Sequence, residues 1–222
     1  LAYLDYIKII TCILQATYFN IASMLKAEVM VPPKLDAPGK GLPKFELFMA
    51  RILVGWKAMR TSRLEAEAIF ECEKVEILKL LRQTDPTEGR QQVLVKRLRG
   101  LEDSSRFWSI YMTADHLKIV NDRMNEAIRY LLGGSAPSRV VGTADVKPAS
   151  SVDERIVEEF EKSCLAVQET VRGAADLKTA LTWPHPWFGE LNAERWHFFA
   201  GFHMGLHRKQ MLLIQGQLPP AR

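Results

Sequence analysis

His203 and His207 stand four residues apart in the stretch Gly201-Phe-His-Met-Gly-Leu-His207. In a helix that spacing sets the two side chains about 40° apart around the axis and one turn apart along it, so both rings share a face. Neutral imidazole nitrogens hold a divalent ion when they converge to roughly 2.0–2.1 Å from it, which makes the pair a candidate metal clasp. The residues between them, Met204, Gly205 and Leu206, include no glutamate to act as the base of a His-Glu-x-x-His peptidase, which disfavours proteolysis.

A third ligand is expected from His116. It falls near the middle of a helical stretch over 104–132, as His203 falls near the middle of one over 192–215, so two such helices side by side bring the three rings to one height. Three histidines leave open positions for water or substrate, as a catalytic ion requires. Spacing alone leaves a second reading open, in which His203 and His207 are exposed or hydrogen-bonded and His116 is a surface residue beside Asp115.

Other residues extend the candidate pocket. His185, between Pro184 and Pro186, is read as fixing its loop through a hydrogen bond, with a substrate role as the alternative. Trp187 and Phe188 would anchor that loop or roof a pocket. Trp196, seven residues before His203, shares its face, and Arg123, seven after His116, could meet an anionic substrate or make a surface ion pair. Glu194 and His197 form one Glu-x-x-His pair, whereas a di-iron bundle needs two with further glutamates.

These residues must be positioned by helices. Helical periodicity is nearly continuous, and alternating β-branched runs bounded by hairpin turns are absent, which predicts an all-α fold. Residues 2–30 read as a long apolar helix, with 17 uncharged residues between Lys8 and Lys26, near the lower limit for a membrane span. A Pro/Gly linker closes this first segment, 1–43, and residues 44–222 form the second. Within it the pattern predicts one long or two abutting helices over 44–83, with Phe48, Ile52, Trp56, Met59, Leu64, Ile69, Val75, Leu78 and Leu81 apolar. A short helical piece follows at about 90–101, and then a helix capped by Ser104 or Ser105 and stopped by Gly133-Gly134. Ser151 and Glu154 suggest a capping box for a helix to about Gly173, with Ile156, Phe160, Leu165 and Val167 apolar; Asn192 caps the last helix, to about Gln215. Residues 133–150, rich in Gly, Ser, Ala and Pro, can span up to about 60 Å when extended. That exceeds the roughly 40 Å of the preceding helix, so the helices on either side can run parallel.

Composition narrows the function classes. With 47% hydrophobic and 25% charged residues the chain has ordinary globular usage, which argues against disorder and against a polytopic membrane protein. The net charge of +4 is dispersed, and the basic cluster Lys96-Arg97-Leu98-Arg99 has no interleaved aromatic residues to stack on bases, so no nucleic-acid partner is expected. Cys12, Cys72 and Cys164 are odd in number and far apart; they suggest core residues in a reducing, cytoplasmic setting, with anchoring to a membrane through residues 1–30 as the alternative.

Two stretches resemble a known superfamily. Ser104-Ser-Arg-Phe-Trp-Ser-Ile-Tyr-Met-Thr-Ala-Asp-His116 is similar to the Trp-Ser and following helical histidine of DinB-like proteins. His185-Pro-Trp-Phe-Gly-Glu-Leu-Asn-Ala-Glu-Arg-Trp196, continuing to His203 and His207, resembles the last helix of that superfamily, in a branch of unknown function with a His-Pro-aromatic-Phe-Gly turn. The similarity spans roughly 63–215. It implies a four-helix bundle with a long connection between helices two and three, and a divalent ion, zinc or nickel, on positions matching His116, His203 and His207. It further implies a metal-dependent thiol transferase or hydrolase acting on a small-molecule substrate, with a low-molecular-weight thiol as cosubstrate in some members. The other reading is a non-catalytic module braced by its metal. About 60 residues ahead of the bundle depart from the family pattern and leave a homodimer open.

Overall fold

Arg63 to Gln83 shows how the chain organises its helices. Thr61 and Ser62 break the preceding helix, and Ser62 opens the next one reciprocally: its hydroxyl accepts from the Glu65 amide at 3.3 Å while the Glu65 carboxylate accepts from the Ser62 amide at 2.8 Å. The pattern over 44–83 therefore resolves into two helices.

The computed structural model describes residues 33–218. Its helices are α1 (Lys44–Arg60), α2 (Arg63–Gln83), the short α3 (Pro86–Arg90), α4 (Ile110–Leu132), α5 (Ile156–Gly173) and α6 (Ala193–Gln215). Two small antiparallel ladders accompany them, β1 (Val93–Leu94) with β2 (Phe107–Trp108), and β3 (Trp183–His185) with β4 (Gly189–Leu191). The apolar stretch 2–30 lies outside the described residues; among the described ones, Leu35 to Leu218 form one unit.

Helices α2, α6, α4 and α5 pack in that order around a shared core, each against its two neighbours. Phe70, Leu117, Phe160 and Met204, one from each helix, are fully enclosed at its centre. Contacts fix the directions. Glu67, Phe70 and Glu73 meet His197, Gly201 and Arg208 in turn, so α2 and α6 run parallel. His116 and Asn121 meet His203 and Met204, and Ser105 meets Gln210, so α4 opposes α6. Arg82 pairs with Glu161, and Arg63 reaches the Val171 carbonyl, so α5 opposes α2. It follows that α4 and α5 are parallel, and the connection 133–155 returns the chain along α4 before α5 begins.

Several local expectations are corrected. The piece at 90–101 is not a helix: beyond Arg90 the backbone joins β1, and Val95 donates to the Arg106 carbonyl at 3.0 Å. Because Phe107 and Trp108 are committed to that ladder, α4 cannot start at Ser104 or Ser105. It starts after Ser109, whose hydroxyl accepts from the Met112 amide at 3.1 Å. No capping box forms at Ser151; Asp153 binds the Arg155 backbone and guanidinium, Glu154 pairs with Arg90, and α5 begins at Ile156. Phe48, Ile52, Trp56 and Met59 of α1, Leu64 and Val75 of α2 and Leu165 of α5 are exposed despite their helical spacing, and of α1 only Ala58 is buried. Cys164 is a core residue, but Cys72 is exposed. Among the described residues no helix is long and apolar enough to cross a membrane.

Candidate metal centre

The three histidines meet between α4 and α6. His116 Nε2 lies 3.2 Å from His203 Nε2, and ring centroids are 5.1 Å apart for His116 and His203 and 4.5 Å for each of the other two pairs. One nitrogen from each ring falls within 4.8 Å of the other two.

Each ring's far nitrogen tells how the near one is presented. His116 Nδ1 lies 2.6 Å from the Val146 carbonyl, an acceptor only, so it carries the proton and Nε2 keeps its lone pair. His207 Nδ1 lies 2.8 Å from Gln210 Oε1, while the Gln210 amide donates to the Ser105 carbonyl at 2.7 Å, which orients the Gln oxygen toward the ring. His203 Nδ1 is enclosed without a partner. Trp108 walls the cluster, stacked on His207 at 6.0 Å and tilted against His116 at 5.0 Å.

Burial makes these rings neutral donors and not cations. It drives the His116 pKa down to about 4, against the opposing pull of the Val146 carbonyl. His203 and His207 are held well below the ordinary imidazole value, by burial first and then by proximity to the other histidines. Neutral rings turn unshared pairs into one space, the Nδ1 nitrogens of His116 and His207 being engaged elsewhere, and the Nε2 nitrogens of His116 and His203, 3.2 Å apart, can share only a single proton. A metal ion would use every lone pair, so the donor set fits a divalent ion.

The family model of the DinB superfamily matches residues 70–211, which include all three histidines, α4, α5 and most of α6. The chain belongs to the DinB superfamily. Among solved structures, TT2238, described as a four-helix bundle protein, superposes with a TM-score of 0.51 at 24% identity, over 68% of this chain and 98% of that one. No curated protein matches the chain. The expected all-α DinB-like bundle with its long connection between the second and third bundle helices is therefore the fold found here.

In this DinB bundle the histidines open onto a cavity of about 850 Å³ whose walls are mainly apolar. Helix α1 covers one side of it. Glu46 of α1 receives two bonds from Arg97, at 3.1 and 2.5 Å, and one from the Gly100 amide at 2.6 Å, while Arg51 donates to the Trp187 carbonyl at 2.6 Å. The Arg97 guanidinium beside Glu46 holds that carboxyl below its usual range.

The remaining expected pocket residues all line this cavity. Trp196 is buried against Trp183 and His185, at 5.6 and 5.3 Å. Trp187 and Phe188 form the tip of the β3–β4 hairpin, whose turn closes at Gly189 with φ +74°, a conformation that glycine adopts without strain. His185 Nδ1 accepts from the Trp187 amide at 3.1 Å, so the histidine does brace its loop. Arg123 makes an exposed pair with Glu126 at 3.0 Å at the cavity wall. His197 is buried against Phe70, away from the triad.

Sequence reasoning missed Gln210, Val146 and Glu102. Gln210 follows His207 by three residues, a helical spacing that could have flagged it. The Val146 contribution is a backbone carbonyl and leaves no side-chain signal. Glu102 lines the cavity but accepts from the Gly39 and Gly41 amides and from Ser104 and Thr143, at 3.0 to 3.2 Å, so its oxygens are occupied.

Proposed function

We propose that this DinB-superfamily protein binds a divalent ion, zinc or nickel, on His116, His203 and His207, and uses it as a thiol transferase or hydrolase for a small, mainly apolar substrate. The observation carrying this reading is the junction of the triad with the cavity: the imidazole nitrogens converge at the wall of a space large enough for a drug-sized molecule. A metal that only braced the bundle would need no such space beside it.

An ion held there would supply Lewis acidity, lowering the pKa of a ligated thiol or water so that it attacks at neutral pH. The chain's own residues do the rest. Val146 and Gln210 fix the tautomer and tilt of two ligands, as the outer partners of metal-bound histidines do. Trp108 and the apolar walls exclude water from the substrate end of the site. Arg97 and Glu46, paired with each other, keep α1 seated over the cavity instead of offering free charge to a substrate. A low-molecular-weight thiol would enter as cosubstrate.

The test begins with metal analysis of protein purified without an affinity tag, followed by a panel of low-molecular-weight thiols against electrophilic and ester substrates. The expected result is close to one zinc or nickel per chain and thiol- or water-dependent turnover. His203→Ala is expected to abolish both while leaving the thermal unfolding of chelated protein nearly unchanged. Gln210→Leu should weaken metal binding by about 10- to 100-fold. Metal-free wild-type protein after refolding with zinc and with nickel would overturn the site. Turnover undiminished in His203→Ala would overturn the role of the ion.

A further inference from the structure

A fourth histidine faces the cavity, and nothing in the metal reading uses it. His185 lies on β3, and its ring packs among Phe188, Trp196 and Phe199 at centroid distances of 5.1, 5.3 and 5.4 Å. It lines the same cavity as the triad.

The hairpin dictates which of its nitrogens carries the proton. The Trp187 amide can only donate, and it points at His185 Nδ1 from 3.1 Å, so Nδ1 is the acceptor and the hydrogen sits on Nε2. This follows from chain geometry: Pro186 supplies no amide, and the turn brings the next one, that of Trp187, back onto the ring two residues behind it. Burial pushes the His185 pKa down to about 4, so the ring is neutral at physiological pH and has a single N–H.

That N–H has no protein acceptor among the described residues. Nor does it belong to the enclosed polar atoms without a partner, which are Asn121 Oδ1, Asn125 Oδ1, Trp196 Nε1, His197 Nδ1 and His203 Nδ1. Among the described residues Nε2 is therefore left open, and the space this ring lines is the cavity. An N–H amid aromatic walls, held in one tautomer from behind, is suited to a ligand oxygen.

We infer that His185 is a specificity-determining donor: its Nε2–H binds a carbonyl or carboxylate oxygen on an otherwise apolar ligand and orients that ligand in the cavity. The inference deepens the proposed function, because the oriented molecule would be the substrate of the metal site. Its own basis is separate, since the hairpin and the hydrogen bond to Nδ1 involve none of the three ligands. A hydrocarbon of the same shape would fill the aromatic walls but leave the donor unpaired, which is how buried polar groups discriminate.

The probes are 2-acetonaphthone, which has a carbonyl, and its hydrocarbon isostere 2-isopropenylnaphthalene, titrated against tryptophan fluorescence of the full chain with and without zinc. Wild type should bind the ketone about 3- to 10-fold more tightly than the hydrocarbon, the range one neutral hydrogen bond supplies. His185→Phe should bring the two affinities together without weakening the hydrocarbon, and His185→Gln, which keeps a donor, should restore part of the preference. Imidazole nitrogen NMR of wild type should show the His185 proton on Nε2, with no dependence on the folding of any variant. Protonation on Nδ1, equal affinities in wild type, failure of both probes to bind, or a preference unchanged in His185→Phe would overturn the inference. His203→Ala should retain the preference. Loss of zinc binding with the preference intact removes the metal reading alone, and zinc binding with no preference removes this one alone.

Discussion

A buried imidazole stays neutral only while the fold keeps water away, and His116, His185 and His197 share that condition. Burial lowers the pKa of each to about 4, from 6.5 in an ordinary setting. Above about pH 6.5 the rings are neutral in folded and unfolded chains alike, and their contribution to stability is complete. Between 6.5 and about 4 the unfolded chain takes up protons that the folded chain refuses, so stability is lost as pH falls, by up to about 1.4 kcal/mol per pH unit for each ring. Urea unfolding in the presence of chelator should show a plateau above pH 7 and a steep decline below 6. His197→Leu, which replaces a ring with an unpartnered Nδ1, should flatten that decline; a slope identical to wild type would show that His197 protonates freely in the native state. At this scale the sequence was informative where side chains act. Residue type and helical spacing proposed the triad, the family resemblance singled it out, and Gln210 lay within reach of the same spacing argument. Val146 did not, because a carbonyl is common to every residue and only the path of the chain brings this one to His116.

Helices α2 and α6 approach one another at Gly201, where an added Cβ would stand 3.1 Å from the Phe70 amide nitrogen and 3.1 Å from the Ile69 side chain. A backbone neighbour cannot rotate aside. Gly201→Ala gains roughly 1 kcal/mol of helix propensity but must push the helices apart, at about 1–3 kcal/mol for an overpacked contact. Gly205→Ala meets the end of the Glu73 side chain at 3.1 Å instead, a group that can swing away. Urea denaturation should therefore rank Gly205→Ala as the more stable of the two variants, and the reverse order would mean that the α2–α6 spacing is not set at Gly201. Helix existence was legible from periodicity, and the Asn192 cap was read correctly, as its oxygen accepts from the Arg195 amide at 3.0 Å. Helix starts failed where a distant partner claimed the residues first, as β1 claims Phe107 and Trp108 and as Arg90 claims Glu154. Such competition runs between segments far apart in the chain and has no local signature.

On the scale of the molecule, α1 differs from the four bundle helices in how it is held. It buries one residue, Ala58, and among the described residues its polar ties to other segments are Glu46 to Arg97 and Gly100, and Arg51 to Trp187. An element with few buried contacts opens at lower free energy than the core. Hydrogen exchange should release the α1 amides before those of α2, α4, α5 and α6, and Glu46→Ala should quicken α1 exchange by an order of magnitude or more while leaving the bundle rates unchanged. Exchange of α1 in step with the bundle would instead make it part of one cooperative unit. The periodicity of α1 promised a buried face, and among the described residues Phe48, Ile52, Trp56 and Met59 are exposed, because hydrophobic spacing states which residues could pack together without naming a partner.

The parallel course of α4 and α5 constrains what can be done to the segment joining them. A helix of about 23 residues is roughly 35 Å long, and an extended chain needs about ten residues to retrace it. Trimming residues 133–155 below that length would leave α5 unable to reach its own slot beside α4. The chain's remaining route to a filled core is exchange: α5 of one molecule would enter the bundle of another, and two chains would become an interlocked pair.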